Sequence, residues 1–498
     1  MNIKNIDPNN YQLAASQLWQ LLVPNIQYLI TQEKETVELA FFQMADAHLD
    51  QRRKSGEFYI VHPVCACLYL TRMKLDSDTL AACLLHDVPE DTKVSLKDLE
   101  QNFTKEVIFL ISGITKLGKL KYQGEDRYAE NLRRMFVAMS RDLRVIFIKL
   151  ADRLHNLTTL QYLPANKAHR IAMESLEIYV PIAQRLGINF FKSEIEDAAF
   201  PYVYPDKYNE FRLISEVEIN KRQKQVESMI AKMTKALQGE ELKDYNLKGR
   251  AKKYYSLYKK LKQKDLTLEQ VYDLVALRII TKTIDECYYA LSLVHKNFEP
   301  IKDRMKDYIT KPKSNGYQSI HTAVKDPDSG QIFEVQIRTI EMNEQAEYGV
   351  AAHWAYKNQS KNTRGEQFLD PDNLKWITEL VDLSKAEISN EEYLKHVKLD
   401  LFQDRIFVMT PKGDVIDLPV GATPIDFGYR IHEQIGSHAV RAIVNNSPYK
   451  LTNELHSGDI VEIQTDKNQS PKQDWLRHVK THQASHQIKY RLRKQSSS

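Results

Sequence analysis

Apolar residues recur every three or four positions through most of the first 200 residues. The segments DSDTLAACLLHDV (76–88) and RYAENLRRMFVAMSRDLRVIFIKLADRLHNL (127–157) show this spacing clearly. It is typical of amphipathic α-helices that pack on a common core. We therefore predict that residues 1–200 form an almost entirely helical domain.

The pattern changes after residue 200. A charged helix is predicted around EVEINKRQKQVESMIAKM (216–233), and three short apolar runs with β character follow: VALRIIT (275–281), IHTAVKD (320–326) and QIFEVQIRT (331–339). Helical segments separate these runs, and this alternation predicts an α+β domain.

The residues after about position 357 have a different character. A polar stretch without apolar period, KNQSKNTRGEQFLDPDN (357–373), predicts a mobile connection, and a helical segment follows it. Next, DRIFVMTPKGDVIDLPVG (404–421) predicts two strands joined by a turn, followed by a short helix and two further β segments. The predicted regions are a helical domain at 1–200, a helical linker at 201–240, an α+β domain at 241–360, a linker and helix at 361–400, a small β-rich domain at 401–466 and the start of a helical region at 467–498.

Composition narrows the class of protein. The chain has 498 residues, of which 27% are charged and 42% hydrophobic, the balance of a folded multidomain protein. No segment approaches the ~18 uncharged apolar residues of a membrane span, and the first ten residues lack a signal-peptide core, so we expect a cytoplasmic protein without a membrane partner. The four cysteines are expected to be buried thiols. A net charge of +4 does not by itself indicate nucleic-acid binding.

Two histidines and two aspartates in the helical domain offer the ligand types of a divalent transition metal such as Mn or Fe: His62, His86, Asp87 and Asp152. Such mixed ligands leave coordination positions for water. Pro89 should end the helix at Val88 and present Glu90 and Asp91 from a turn near the metal, where carboxylates can act as general acid and base on a phosphate ester. A His-Asp pair alone is more often a capping or surface pair, and that alternative stays open at this point.

Three segments in order resemble the HD phosphohydrolase domain of the RelA/SpoT family: RRKSGEFYIVHP (52–63), LLHDVPEDT (84–92) and KLADRLHNL (149–157). The resemblance implies Mn²⁺ binding by the two histidines and two aspartates and catalysis by Glu90 and Asp91. It assigns guanine-nucleotide binding to Arg53, Lys54, Ser55 and Asn156. Pro89 and Thr158 depart from residues common in the family, but neither departure removes a ligand.

A basic segment opens the α+β domain. NLKGRAKKYYSLYKKLK (246–262) holds seven Lys or Arg and no acid, so it suits a triphosphate, with Ser256 able to bond a phosphate oxygen. A solvated or RNA-binding helix is the open alternative. Farther along, Asp273 and Glu334 lie in β-like runs and could hold Mg²⁺ on a triphosphate. Tyr317 could stack on a purine and His321 could reach a phosphate.

The stretch 248–357 closely resembles the (p)ppGpp synthetase domain of the same family, through GRAKKYYSLYKKL, YDLVALRI, RMKDYITKPKSNGYQSIHT, EVQIRT and AEYGVAAHWAYK. That family transfers pyrophosphate from ATP to the ribose 3′-hydroxyl of GDP or GTP, on a nucleotidyltransferase-like fold. The resemblance implies Mg²⁺ at Asp273 and Glu334, with Glu334 also activating the hydroxyl. It assigns ATP to Arg250, Lys252 and Lys260, the guanine to Tyr317, and the acceptor with its phosphates to Arg304, Lys306, Lys313, Asn315 and His321.

Residues 401–466 resemble the TGS module, a small β-grasp domain, through VMTPKGDVIDLPVGATPIDFGYRIH and LHSGDIVEIQT. In the family this module touches uncharged tRNA on the ribosome, and His432 occupies the matching histidine position. A packing or capping histidine is the alternative. Beyond it the chain resembles the start of the family's helical region, and the zinc-finger-like and ACT regions of long relatives are expected to be absent.

We predict a bifunctional synthetase and hydrolase of the alarmone (p)ppGpp, which acts in the stringent response. The prediction rests on the presence of both the hydrolase and the synthetase residues, and on the basic sequence Arg304-Met-Lys306-Asp307. Two alternatives stay open: an enzyme with only one working activity, and a non-catalytic sensor that binds the ribosome or tRNA.

Overall fold

A computed structural model describes residues 6–115, 125–238, 242, 244–251, 253–264, 275–302, 304–312, 317–352, 371–385, 388–394, 397 and 405–496. Residues 357–370 of the predicted mobile connection lie outside this range. The chain forms two compact units, one made of Met1–Tyr122 and Asn131–Asp382 and the other of Gln123–Glu130 and Leu383–Ser498.

The described part of the first 200 residues is helical, as predicted. Its helices are α1 Tyr11–Leu22, α2 Thr31–Ala47, α3 Val61–Thr71, α4 Ser77–Leu85, α5 Val88–Asp91, α6 Leu96–Leu99, α7 Lys105–Thr115, α8 Glu125–Arg141, α9 Arg144–Thr158, α10 Ala165–Glu174, α11 Val180–Arg185 and α12 Asn189–Val203. A π-helical segment, Ser175–Tyr179, joins α10 to α11.

Helix α9 is central to this helical region because it contacts α3, α4, α7 and α12. Its consecutive residues 145–148, Val-Ile-Phe-Ile, are all fully buried, as expected for a helix surrounded by other helices. Helix α4 begins where Asp76 accepts a hydrogen bond from the backbone N–H of Thr79 at 2.9 Å, an N-cap that satisfies an otherwise unpaired amide. These packed helices bring α3, α4 and α9 side by side.

After α13, Pro205–Leu237, the chain forms the predicted α+β region around a mixed sheet. Its described elements are β1 Asn246–Ala251, α14 Tyr254–Lys264, β2 Val275–Thr281, α15 Ile284–Asn297, β3 Glu299–Pro300, β4 Lys306–Asp307, β5 Ile320–Lys325, β6 Ile332–Thr339 and α16 Ile340–Tyr348. The strand order is β1-β2-β6-β5-β3, and β4 also pairs with β5. Strands β2 and β6 are parallel, and the other pairs are antiparallel.

The two faces of β6 have different surroundings. Phe333, Val335 and Ile337 are buried in the core that the sheet shares with α13 and α15. Side chains alternate across a strand, so the intervening residues 334, 336 and 338 face the opposite side. Those three are Glu, Gln and Arg, and they line a cavity on that side of the strand.

The C-terminal elements are α17 Pro371–Lys385, β7 Arg405–Met409, β8 Val415–Pro419, α18 Pro424–Ile431, α19 Glu433–Ser437, β9 Ala439–Val444, β10 Ser447–Tyr449, β11 Val461–Thr465 and α20 His482–Ser496. Strands β7 and β8 form a hairpin, β9 lies between β10 and β11, and a parallel bridge from Met409 to Ile460 links the two sets. This is the predicted β-grasp arrangement. Buried Asp426 accepts hydrogen bonds from the backbone N–H groups of Thr423, Lys480 and Thr481, which ties α18 to the segment that follows the strands.

No helix among the described residues is long and apolar enough to cross a membrane. All four cysteines are buried, as predicted.

A backbone contact joins the helical region to the sheet region. Gly187, between α11 and α12, lies against Gly349 at the end of α16, and the N–H of Val350 donates to the carbonyl of Leu186 at 3.0 Å. Gly349 has a φ of 52°, and a Cβ there would lie 2.7 Å from the Cα of Gly187 and would overlap the carbonyl oxygen of Leu186. Only glycine fits this position.

We predict that Gly349→Ala destabilises the first unit by about 3 kcal/mol or more, because backbone strain adds to steric overlap. Gly330→Ala is the matched control: its φ is 70° but the nearest atom to a new Cβ is the flexible Lys325 Cε at 3.9 Å. It should cost only about 1–2 kcal/mol. Thermal unfolding of both variants checks this, and equal melting temperatures would contradict it.

Candidate functional site

The four predicted metal ligands lie together in the core of the helical region. His62 belongs to α3, His86 directly follows α4, Asp87 precedes α5 and Asp152 belongs to α9. His62 Nε2 is 3.5 Å from Asp87 Oδ2 and 3.3 Å from Asp152 Oδ1, and His86 Nε2 is 3.2 Å from Asp87 Oδ1. One ligand atom from each of His62, His86 and Asp87 lies within 4.8 Å of the others.

The hydrogen bonding of His86 suits a metal ligand. Its Nδ1 is 2.7 Å from the carbonyl oxygen of Cys83, which can only accept, so Nδ1 carries the proton. In the neutral ring Nε2 then holds a lone pair, and this buried atom has no hydrogen-bond partner among the described residues, since the Asp87 oxygen 3.2 Å away is itself an acceptor. In metal-binding histidines, one ring nitrogen typically donates a hydrogen bond to a backbone carbonyl, and the lone pair of the other nitrogen faces the metal. The residues therefore fit a divalent cation.

Two residues of α9 donate hydrogen bonds to Asp152, one of the predicted ligands. Lys149 Nζ donates to Asp152 Oδ2 at 2.8 Å, and Asn156 Nδ2 donates to Asp152 Oδ1 at 2.5 Å. Burial opposes ionisation of Asp152, but Lys149 and His62 outweigh it and hold the pKa of this carboxyl well below its usual range. The carboxylate is therefore charged and oriented.

His155 and Arg53 extend this support toward the predicted nucleotide residues. His155 Nδ1 is 2.8 Å from His62 Nδ1 and 3.0 Å from Arg53 Nη1, and Arg53 Nη2 donates to Asn156 Oδ1 at 2.6 Å. The structure thus brings Arg53 and Asn156 together. Ser55 lies in the same loop with a buried hydroxyl that has no protein partner among the described residues, whereas Lys54 is exposed.

Tyr59 connects a predicted metal ligand to a predicted catalytic acid. Its hydroxyl is 2.8 Å from Asp87 Oδ2 and 2.5 Å from Asp91 Oδ2. Its ring stacks on the buried His48 ring at a centroid distance of 4.3 Å. Burial raises the pKa of Tyr59 far above its ordinary value, so the hydroxyl keeps its proton. Tyr59 therefore fixes where Asp91 lies relative to Asp87.

Glu90 and Asp91 lie on a short helix, and not in the turn that the sequence predicted. Helix α4 ends before Val88, but Val88 opens α5, with Pro89 in its first turn. Proline is tolerated there because its missing N–H would have no partner in any case. Burial raises the pKa of Glu90, and the nearby Asp87 carboxylate adds to the effect.

A second candidate site is a cavity of about 350 Å³ on the polar face of β6. Three predicted residues line it, namely Ser256, Tyr317 and Glu334. The other lining residues are Asn189, Lys192, Ser193, Glu196, Lys253, Ala276, Arg278, Gln336, Arg338, Ala346 and Glu347.

A chain of hydrogen bonds orients Glu334. The Tyr317 hydroxyl is 2.8 Å from His321 Nε2, and His321 Nδ1 is 3.2 Å from Glu334 Oε1. Gln336 Nε2 donates to the same oxygen at 3.3 Å, while Arg338 Nη2 donates to Gln336 Oε1 at 2.9 Å. Because Arg338 can only donate, it fixes which end of the Gln336 amide faces Glu334.

The remaining predicted residues of this region are placed to different extents. Lys306 pairs with His321 across β4 and β5, and exposed Arg304 shortly precedes β4. Lys260 lies on α14, and the backbone of Arg250 pairs with Ala276, which lines the cavity. Four predicted residues lie outside the described residues: Lys252, Asp273, Lys313 and Asn315.

His432 caps a helix in the β-grasp region. It is exposed, and its Nδ1 accepts a hydrogen bond from the backbone N–H of Gln434 at 3.1 Å, at the start of α19. This contact matches the capping alternative, and the rest of the ring remains open to solvent.

Sequence reasoning did not single out Tyr59, His155, Gln336 and Arg338. Signals existed for three of them. His155 is three residues after Asp152 on a helix, which places both on one face, and Gln336 and Arg338 alternate with the buried residues of β6. Tyr59 contacts Asp87 across 28 residues, and no local pattern predicts that contact.

Family models match three parts of the chain. The model described as a region found in RelA / SpoT proteins matches residues 249–361, an HD domain model matches 40–189 and a TGS domain model matches 406–465.

Curated relatives match nearly the whole chain. A bifunctional (p)ppGpp synthase/hydrolase SpoT from Escherichia coli is 41% identical over 94% of this chain and 66% of its own length. A probable guanosine-3′,5′-bis(diphosphate) 3′-pyrophosphohydrolase from Synechocystis is 43% identical over 98% of this chain and 64% of its own. A GTP pyrophosphokinase from Myxococcus xanthus is 42% identical over 94% and 62%. The chain thus spans less than two thirds of the length of each.

We predict that His86→Gln weakens binding of a divalent cation at least about tenfold, since it would remove a nitrogen ligand, and even residues that only support a ligand are worth about that much. Isothermal titration with Mn²⁺ measures it. His169→Gln is the control, because exposed His169 lies on α10 and contacts the carbonyl of Tyr202. Unchanged Mn²⁺ affinity in His86→Gln would exclude His86 as a ligand.

Proposed function

Because the chain belongs to the RelA/SpoT family, we propose that it is a bifunctional cytoplasmic alarmone enzyme. It makes (p)ppGpp by transferring pyrophosphate from ATP to the 3′-hydroxyl of GDP or GTP, and it hydrolyses (p)ppGpp to GDP or GTP and pyrophosphate. The observation that carries the proposal is that one chain holds both the His62, His86 and Asp87 cluster and the Glu334 cavity. In this proposal residues 1–200 hydrolyse, 241–360 synthesise and 401–466 form the TGS domain.

In the hydrolase site, His62, His86, Asp87 and Asp152 would hold Mn²⁺. When bound there, such an ion supplies Lewis acidity and lowers the pKa of a coordinated water. The guanine nucleotide would lie along Arg53, Lys54, Ser55 and Asn156. The hydrogen bond from Arg53 to Asn156 orients both side chains before the nucleotide arrives.

The two acids of α5 have different environments, and this suggests different roles. The raised pKa of Glu90 favours its protonated form, which suits donation of a proton to the leaving oxygen. Asp91 is held by Tyr59 beside Asp87 and is suited to accept a proton from the attacking water. Tyr59 is in this view a positioning residue.

In the synthetase site, ATP would bind to Arg250, Lys252, Ser256 and Lys260. Tyr317 would stack on the guanine, and Arg304, Lys306, Lys313, Asn315 and His321 would hold the acceptor and its phosphates. Glu334 and Asp273 would hold Mg²⁺, which neutralises triphosphate charge when bound. Glu334 would also accept the proton of the 3′-hydroxyl as it attacks the β-phosphorus in line, while the bond from that phosphorus to the bridging oxygen breaks and AMP leaves. Catalysis of this kind depends mainly on positioning and charge.

A ribosome and uncharged tRNA are proposed partners through the TGS domain, with His432 as a tRNA contact. Its exposure supports this, since the ring nitrogen that does not cap α19 can reach a partner.

If this contact were the only function, the chain would be a non-catalytic sensor. Turnover of nucleotides by the purified chain separates the two possibilities: ATP plus GDP with Mg²⁺, and ppGpp with Mn²⁺ in a second assay. Absence of product in both would overturn the bifunctional proposal.

Glu90→Gln should lower ppGpp hydrolysis by about 100-fold or more, the usual contribution of a general acid. Mn²⁺ affinity should stay close to that of the unmodified chain because Glu90 is not among the four ligands, and titration checks this. Synthesis from ATP and GDP should be retained. Full hydrolase activity in Glu90→Gln would remove Glu90 from the proposed mechanism.

Glu334→Gln should lower synthesis by about 100-fold or more, because the amide can neither accept the hydroxyl proton nor carry charge for Mg²⁺. Hydrolysis of ppGpp should be unchanged, so the two variants serve as reciprocal controls. Loss of both activities in either variant would indicate a common structural defect, and a melting curve of each variant detects it.

A further inference from the structure

One helix of the helical region forms a wall of the synthetase cavity. Asn189, Lys192, Ser193 and Glu196 line the cavity, and their spacing of three and four places them on a single face of α12. The opposite wall belongs to β6, with Glu334 and its hydrogen-bonded neighbours. The synthetase residues that the family resemblance assigns all lie after position 248, so none of them belongs to α12.

Lys192 differs from other cations of the cavity wall. Lys253 pairs with Glu194 at 3.1 Å, and Arg278 pairs with Glu347 at 2.7 Å. Glu196, four residues after Lys192, forms an ion pair with Lys259, in which Oε1 lies 2.5 Å from Nζ. Lys192 itself forms no ion pair within 4.0 Å with any residue that the structure describes. Burial lowers its pKa and the charge of Lys259 adds to this, while the carboxylate of Glu196 partly offsets the two.

An ammonium group in this position favours an anion in the cavity. Removing a charge from water costs free energy unless an opposite charge or hydrogen bonds replace the lost hydration. The cavity beside Lys192 also holds the Ser256 hydroxyl and Lys253, both from the start of the α14 segment. These are donors suited to phosphate oxygens.

The position of α12 does not depend on a ligand. On one side of Lys192, Asn189 Nδ2 donates to the carbonyl of Ala346 at 2.7 Å. On the other side, Asp197 Oδ1 accepts from the backbone N–H of Tyr255 at 3.0 Å. The helix that carries Lys192 is therefore held at the cavity wall before any nucleotide binds, which lowers the entropic cost of binding.

We propose that Lys192 binds a phosphate of the donor nucleotide, ATP, so that helix α12 of the helical region is part of the synthetase site. This inference rests on the proposed function and adds a residue to it. The α14 side of the cavity, where Ser256 lies, is the side of the proposed ATP residues, and Lys259 on that helix is near enough to affect Lys192. The acceptor residues Tyr317 and His321 come from a different segment.

The test compares Lys192→Met, which keeps the aliphatic stem and removes the charge, with Lys192→Arg, which keeps the charge. Lys192→Met should raise the KM for ATP, and the Kd of a non-hydrolysable ATP analogue in calorimetry, at least about tenfold, the value of a lost charge-assisted hydrogen bond. Lys192→Arg should recover most of this loss. Hydrolysis of ppGpp should not change in either variant.

Lys74→Met is the matched control. Lys74 pairs with Glu344 of α16 at 2.9 Å, so it also links the helical region to the sheet region, but it does not line the cavity. Its loss should leave ATP affinity unchanged. An equal loss in Lys74→Met would mean that Lys192 acts only through packing of the two regions, and this would overturn the proposal.

Two other results would also overturn it. These are an unchanged analogue Kd in Lys192→Met, and an effect confined to the KM for GDP, which would assign Lys192 to the acceptor. Failure of the proposed function looks different: the unmodified chain would make no (p)ppGpp. The calorimetric comparison would still test Lys192 in that case, because it measures binding and not turnover.

Discussion

The buried carboxylate of Asp152 is the interaction on which the helical region is organised. A charge in a helical core is tolerated only with several donors around it, and Lys149 and Asn156 provide them from the same helix. Asn156 in turn accepts from Arg53, which precedes α3, and His62 of α3 contacts the same carboxylate oxygen as Asn156. One buried charge thus fixes the register of α3 against α9.

The sheet region solves a similar problem by alternation. On β6 the apolar residues at odd positions are buried in the core, and the polar residues at even positions form a hydrogen-bonded row that ends at Glu334. The strand is therefore both a structural element and the support of the proposed catalytic carboxylate. Since β6 is flanked by β2 and β5, this row sits on the rigid middle of the sheet.

Periodicity predicted much of this fold because local burial determines it. The three β runs became β2, β5 and β6 with bounds within one residue of the apolar segments, and the helical domain appeared as expected. The sequence failed where contacts join distant segments or where a local rule has an exception. Tyr59 reaches Asp87 only because α3 packs on α4, and Pro89 lies in the first turn of a helix where it was expected to end one. The cavity wall from α12 depends on packing between regions, which no spacing reveals.

The glycine pair at positions 187 and 349 also restricts how the chain can vary. Many tight contacts tolerate a larger residue when the partner becomes smaller, so that two substitutions compensate each other. Here both partners already lack a side chain, and a Cβ on Gly187 would lie 3.2 Å from the Cα of Gly349. No smaller residue exists to restore the fit. A substitution at either glycine therefore cannot be compensated by a substitution at the other. Only a movement of the backbone can make room for the new side chain.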